Sequence, residues 1–436
     1  MDRTGTSTAV RIGACALGVL LGLAPARARA LQPLETFIES ARTKNPDNLE
    51  AAANTRQREA EAEVATGRLL PSANVQGIYT RNQYEAIVQL PEGPEVIIQP
   101  KNALDAFLTL QVPIVQVELW YRRSAAKTAG KAALARQDFT ELIIEENVAR
   151  AYYELLGYEA ALRSTKQGLE VAQNLERLIQ TRVDVGVASN LDLQRAIAEV
   201  ARRQQEVATA EQNVALSRRS LESLSRQTPT PATDADFVPD DLHEEGPLSA
   251  WLKPNNDDLV AVRPSVLETE VARKNRAAAR AVWLPTIGGQ AQEHFSNATG
   301  FTGRNNAYTL SLTATWALDF TLAPRVRAET AALSGASARE NRARRDADDS
   351  IYEAWQNVRA NIEKARAAIP QVEAATLALT LAQDRYENGV ATQLDVIQAQ
   401  RDQLEAEIAA IQAEANLRYS RVVLRVVSRR SREADQ

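Results

Sequence analysis

Arg182-Val183-Asp184-Val185-Gly186-Val187-Ala188-Ser189-Asn190-Leu191-Asp192 is answered 203 residues later by Arg385-Tyr386-Glu387-Asn388-Gly389-Val390-Ala391-Thr392-Gln393-Leu394-Asp395. In each copy a glycine ends one long helix-forming run. A Ser or Thr three residues ahead of an Asp then opens another, the pattern of a capping box. Upstream, Val148 to Leu156 sits against Ser350 to Val358 at nearly the same spacing, with Tyr153 opposite Trp355. Further up, Leu70-Pro71-Ser72 answers Leu284-Pro285-Thr286. Segments repeated in one order mean a duplicated chain.

Each half carries the same elements. A first helix, over about 34–68 and 264–283, ends before Pro71 or Pro285, since proline cannot continue a helix. Two strands follow, about 72–84 and 103–115 in the first half, about 286–295 and 306–319 in the second. In the second strands, Tyr308, Leu310, Leu312, Ala314, Trp316 and Leu318 alternate with mostly polar residues, as do Leu104, Ala106, Leu108, Leu110 and Val112. One apolar and one polar face suits a barrel wall between lipid and water, and suits a half-buried soluble sheet as well. The loops, Pro91-Glu92-Gly93-Pro94 and Ser296 to Asn306, read as polar turns.

The rest of each half is coiled coil. Ile351, Trp355, Val358, Ile362, Ala365, Ile369 and Val372 step by four and three, as do Leu394, Ile397, Arg401, Leu404, Ile408, Ile411 and Ala415 with one polar interruption. Leu142, Ala149, Tyr153, Leu156 and Ala160 share the pattern in the first half. Such spacing is a helix–helix seam. Pro370 is expected to bend its helix.

These elements divide the chain into a leader (1–30), a first repeat (31–227) with its hairpin tip near 186, a proline-rich connector (228–262), a second repeat (263–428) with its tip near 389, and a polar tail (429–436). The leader has Arg3 and Arg11, an apolar run from Ile12 to Ala24, and Ala28-Arg29-Ala30, the layout of a secretory signal peptide. Cys15, the one cysteine, lies inside it, so an exported chain has no disulfide or thiolate metal site. Removing four Arg and one Asp takes the formal charge from −5 to −8, which speaks against a nucleic-acid partner. His243 and His294 read as isolated, and charge-dense Arg339 to Asp349 as a solvated helix face. Hydrolase, nucleotide-binding and zinc motifs are missing, so neither enzyme activity nor a cofactor or metal is expected.

Four strands per chain cannot close a membrane barrel, which needs at least about eight. If these strands enter a bilayer, several copies share one barrel and the helices continue its wall as a tube. The duplication, the two Gly-containing turns followed by Leu-Asp, and the opening Leu34, Ala41, Asn45-Pro46 with Leu70-Pro71 resemble the TolC family of outer-membrane channel proteins over nearly the whole mature chain. The resemblance implies a mainly helical fold with a small β part, a homotrimer, and a duct in the outer membrane with a large periplasmic portion. It also implies efflux or secretion from an inner-membrane pump, and an adaptor protein docked at the helical tips. Those tips are Gly186, Val187, Ser189, Gly389, Val390 and Thr392. The family narrows its periplasmic aperture with acidic residues. Asp395 and Asp192 match such positions, Tyr386 matches a tyrosine of the closing network, Gln398 stands where some members have a second Asp, and Ala391 replaces a basic residue. The competing expectation is a periplasmic coiled-coil adaptor or scaffold without a membrane barrel.

Overall fold

A computed structural model describes residues 31–431 apart from 90, 92, 94, 233–240 and 318. The leader, Glu92 and Pro94 of the first loop, Pro239 of the connector, Leu318 and the end of the tail lie outside the described residues.

The first helix is two helices. A residue before proline is pushed out of helical backbone. Asn45, before Pro46, is accordingly extended (φ −68°, ψ 130°), dividing α1 (Leu34–Lys44) from α2 (Pro46–Gly67). Its side-chain oxygen accepts from the Asp47 N–H at 2.9 Å and its amide donates to the Leu224 carbonyl at 3.0 Å. The single helix expected over 34–68 is thereby corrected.

Six strands follow the two halves: β1 (Ser72–Arg81), β2 (Ala86–Gln89), β3 (Glu95–Gln99) and β4 (Asn102–Val115), then β5 (Thr286–Ser296) and β6 (Asn306–Thr315). Four of them make one antiparallel sheet in the order β1-β4-β5-β6, so the two halves meet at β4–β5. β1 and β6 stop short of the expected 84 and 319. The first loop is more than a turn. β2 and β3 pair as a separate hairpin, with Ile87 opposite Ile97 and Val88 opposite Val96, branched residues that favour extended backbone.

The remaining length is helix. α3 (Val117–Asp184) has 68 residues, about 100 Å at ~1.5 Å per residue; it turns back as α4 (Asn190–Ser225). After the short α5 (Leu248–Trp251) and α6 (Arg263–Ala281), the second half repeats the design with α7 (Leu322–Glu387) and α8 (Gln393–Val427). α7 runs through Pro370 without a break. α2 and α6 flank the upper part of α3, and α8 lies along its lower part, so the helices form one continuous wall. Two interior glycines of α3 permit that approach: a Cβ on Gly157 or Gly168 would stand 3.2 Å from Ala415 or Leu404 of α8.

The seam holds with local corrections. Val358, Ile362 and Ala365 are buried against α8 and Ile351 against the connector, but Ile369 is exposed and Ala368 takes its place. At the start of α8 the exposed residue is Leu394 and the buried one Gln393. At mid-height α1 packs on α3 and α4 through Phe37 and Ala41. Trp251, Leu259 and Val262 of the connector pack on α7. Arg344, expected on a solvated face, holds connector Asp257 at 2.7 Å. The tail begins as a clasp: the Val260 N–H donates to the Arg429 carbonyl at 3.1 Å, the Ser431 N–H to the Asp258 carbonyl at 2.7 Å, and Arg429 grips Glu145 of α3 at 2.5 Å.

Candidate functional site

The tips of the two helical hairpins are near copies. Gly186 (φ +76°) and Gly389 (φ +71°) occupy left-handed backbone, where a Cβ is strained. The next two N–H groups in each copy, Val187 and Ala188 or Val390 and Ala391, both donate to one carbonyl, Arg182 or Arg385. These bonds cap the ends of α3 and α7. Val187 and Val390 are left 76% and 67% exposed, beyond reach of any core.

Ser189 and Thr392 begin the returning helices. Each hydroxyl accepts from the backbone N–H of Asp192 or Asp395, and each carboxylate accepts in return from the backbone N–H of Ser189 or Thr392. Asp395 is consequently held below the usual carboxylate range, first by the Thr392 N–H and then by its hydroxyl. Gln398 donates to Asp402 along its own helix at 2.7 Å.

Within one chain the two hairpins are tied together near these tips. The Arg182 guanidinium lies 5.0 Å from the centre of the Tyr386 ring, a cation–π pair. The Gln393 amide donates to the Asp192 carbonyl at 3.0 Å. Two turns higher, Arg401 of α8 reaches Glu199 of α4 at 2.5 Å, and Arg203 meets the same carboxylate at 3.0 Å. Burial acts to raise the Glu199 carboxyl, but the Arg401 hydrogen bond and the neighbouring guanidinium charges outweigh it and hold the group down. With Glu199 buried and Arg401 more exposed, this ion pair ties the two hairpins above their tips. Glu199 escaped the sequence reading because its partner is 202 residues away. Arg401, the polar interruption of the seam, was the available signal.

At the other end the sheet is built inside out for a soluble protein. The register places Val75, Leu108, Ala291 and Leu310 on one face and Gln76, Thr109, Gln292 and Thr309 on the other. In β4, Leu104, Ala106, Leu108 and Leu110 are exposed, while Asp105, Phe107 and Thr109 on the other face are sheltered. In β6, Tyr308, Leu310 and Leu312 are each more than 70% exposed. Exposed aromatics mark both ends of this apolar face, Tyr79, Phe295 and Tyr308 at the far end, Trp120, Trp283 and Trp316 at the helix end. Such paired aromatic girdles border the lipid-facing band of membrane barrels. A soluble scaffold would bury what this sheet exposes. No described helix is long and apolar enough to cross a membrane.

Both histidines, read as isolated in the sequence, have partners. His243 contacts Asp241 at 2.5 Å and Arg421 at 2.9 Å, and His294 contacts Asp105 at 2.8 Å. Among the described residues no three potential metal ligands gather.

Comparison with known proteins agrees with this geometry. Residues 37–225 and 252–428 match the outer membrane efflux protein family. The chain is 24% identical over 400 residues to the pyoverdine export outer membrane protein OpmQ of Pseudomonas aeruginosa, covering 87% of this chain and 81% of the relative. It is 28% identical over 410 residues to OpmQ of Pseudomonas putida, covering 87% and 82%. The solved structure of the outer membrane protein VceC from Vibrio cholerae superposes with a TM-score of 0.76 at 18% identity, covering 91% of this chain and 95% of that one. With its lipid-facing strands and long helical hairpins, the chain belongs to the outer membrane efflux protein family, channel proteins of the outer membrane with a large periplasmic helical part.

Proposed function

We propose that three copies of this chain close a single twelve-stranded barrel in the outer membrane and extend it into the periplasm as a helical duct. The carrying observation is the sheet: four strands, apolar outward, with β1 and β6 at open edges. Unpaired backbone is not tolerated in lipid, and four strands are half of the smallest barrel. Three copies supply twelve strands and give each edge a partner.

In this reading the duct carries substrates outward from an inner-membrane pump. A periplasmic adaptor docks on the exposed tips at Gly186, Val187, Ser189, Gly389, Val390 and Thr392. Asp395, Asp192, Tyr386 and Gln398 border the aperture between those tips. No cofactor takes part. Native mass measurement of the protein extracted in mild detergent is expected to give three copies. A stable, correctly inserted monomer would overturn the shared barrel.

A further inference from the structure

The polar face of the sheet is almost uncharged. Across β1, β4, β5 and β6 it presents Ser, Thr, Asn, Gln, Gly and a few apolar side chains. Asp105 and His294 are the only ionisable side chains among the described residues of that face, and they meet: His294 Nε2 lies 2.8 Å from Asp105 Oδ1. Phe107, directly opposite His294 in the register, stacks on the imidazole with centroids 4.3 Å apart and planes within 7°. An aromatic ring on a polar wall has no lipid to cover. Here it fixes the plane of the imidazole. Asp105 is the fourth residue of β4 and His294 the third from the end of β5, so the pair sits at the end of the strands away from the helices.

We infer that this His294–Asp105 pair sets the ion selectivity of the outer end of the lumen, the proton on His294 deciding whether each chain's wall is neutral or carries −1. The inference rests on the three-copy duct, in which the wall changes between zero and −3. Histidine is the side chain whose charge ordinarily changes between about pH 5 and 8; carboxylate, Lys and Arg side chains ordinarily keep theirs over that range.

No other charge faces the pair from the neighbouring strands. β6 offers Ala307 and Thr309, and β1, beyond β4, offers Gln76 and Ile78. Arg81 and Glu293 belong to the apolar face, and Glu85, Glu95, Lys101 and Arg304 lie beyond the ends of the four strands. A twelve-stranded wall with strands about 4.8 Å apart and tilted about 40° has a backbone radius of roughly 12 Å. The Debye length at 0.1 M salt is about 10 Å, so wall charge is felt at the axis only in dilute salt.

The test is the reversal potential of the full-length protein in planar bilayers under a dilute KCl gradient, with pH changed from 8 to 5 on the barrel side alone. The K+/Cl− permeability ratio is expected to fall as pH falls. His294→Asn should hold the high-pH ratio at both values. Asp105→Asn should move the channel toward anion preference at pH 5. His243→Asn, which removes the chain's other histidine in the connector, should respond as the native protein does. A native ratio indifferent to barrel-side pH, or a full response retained in His294→Asn, would overturn the inference. Absence of any conductance would overturn the duct itself, and this reading with it.

Discussion

Asp395 caps its helix, and in the proposed duct it would also border the aperture, two roles that its neutral isostere can separate. As the third residue of its helix it accepts the Thr392 N–H, and its carboxyl is held below the usual range on that account. A group depressed by folding contributes stability above its unfolded value, near about 4 for aspartate, and loses it as pH falls through the lower folded value. Three such carboxylates converging on one axis would push one another the other way. Asp395→Asn keeps an acceptor for the cap and removes the charge; Asp395→Ala removes both. Both substitutions are expected to weaken cation selectivity and block by multivalent cations in planar bilayers. A native-like Asp395→Asn alongside an impaired Asp395→Ala would leave the residue as a cap alone. The cap itself was legible, since Thr392 and Asp395 stand three apart. The Arg182–Tyr386 contact was not, because nothing in a helical period pairs residues 204 positions apart.

At the scale of elements, the parity of β6 decides which side meets lipid. Leu310 lies on the exposed apolar face and Ser311 on the polar one, one residue and about 180° apart. Leu310→Lys is expected to cost about 2–4 kcal/mol of barrel stability, the range for a lysine near the bilayer midplane. Ser311→Lys should assemble normally and alter only conductance. Heat-modifiability on gels and outer-membrane yield would check both, and equal tolerance of the two would refute the assigned faces. This alternation was plain in the sequence of β6 and β4. β1 was fainter because Gly77 and Ala73 hold its apolar side. The β2–β3 hairpin was hidden by the prolines around it, whereas the break at Asn45 was signalled by Pro46 and outweighed in the reading by the helix-forming residues on either side. The helical seams were legible in period but drifted in phase, as at Ile369, because a straight α-helix does not keep a strict seven-residue repeat.

For the whole molecule, the duplication sets two near-identical tips side by side, where the proposed adaptor would dock. The tips lie about 100 Å from the strands along α3, and three copies would present six of them. Val187 and Val390 are apolar, exposed and repeated, features that the glycine turns and caps do not require. Replacing both by Glu is expected to abolish transport while trimer level and membrane insertion stay normal. Ordinary efflux in that double variant, at ordinary protein level, would exclude these turns as the essential contact. The open edges of β1 and β6 carry one more consequence. A barrel closed from three identical parts is a third-order product, so where free chains predominate, a tenfold dilution lowers its equilibrium amount about a thousandfold. In that assembly each copy carries its own helices, but its sheet would be finished only by its neighbours. How many molecules a cell exports at once would then govern whether any one of them becomes a pore.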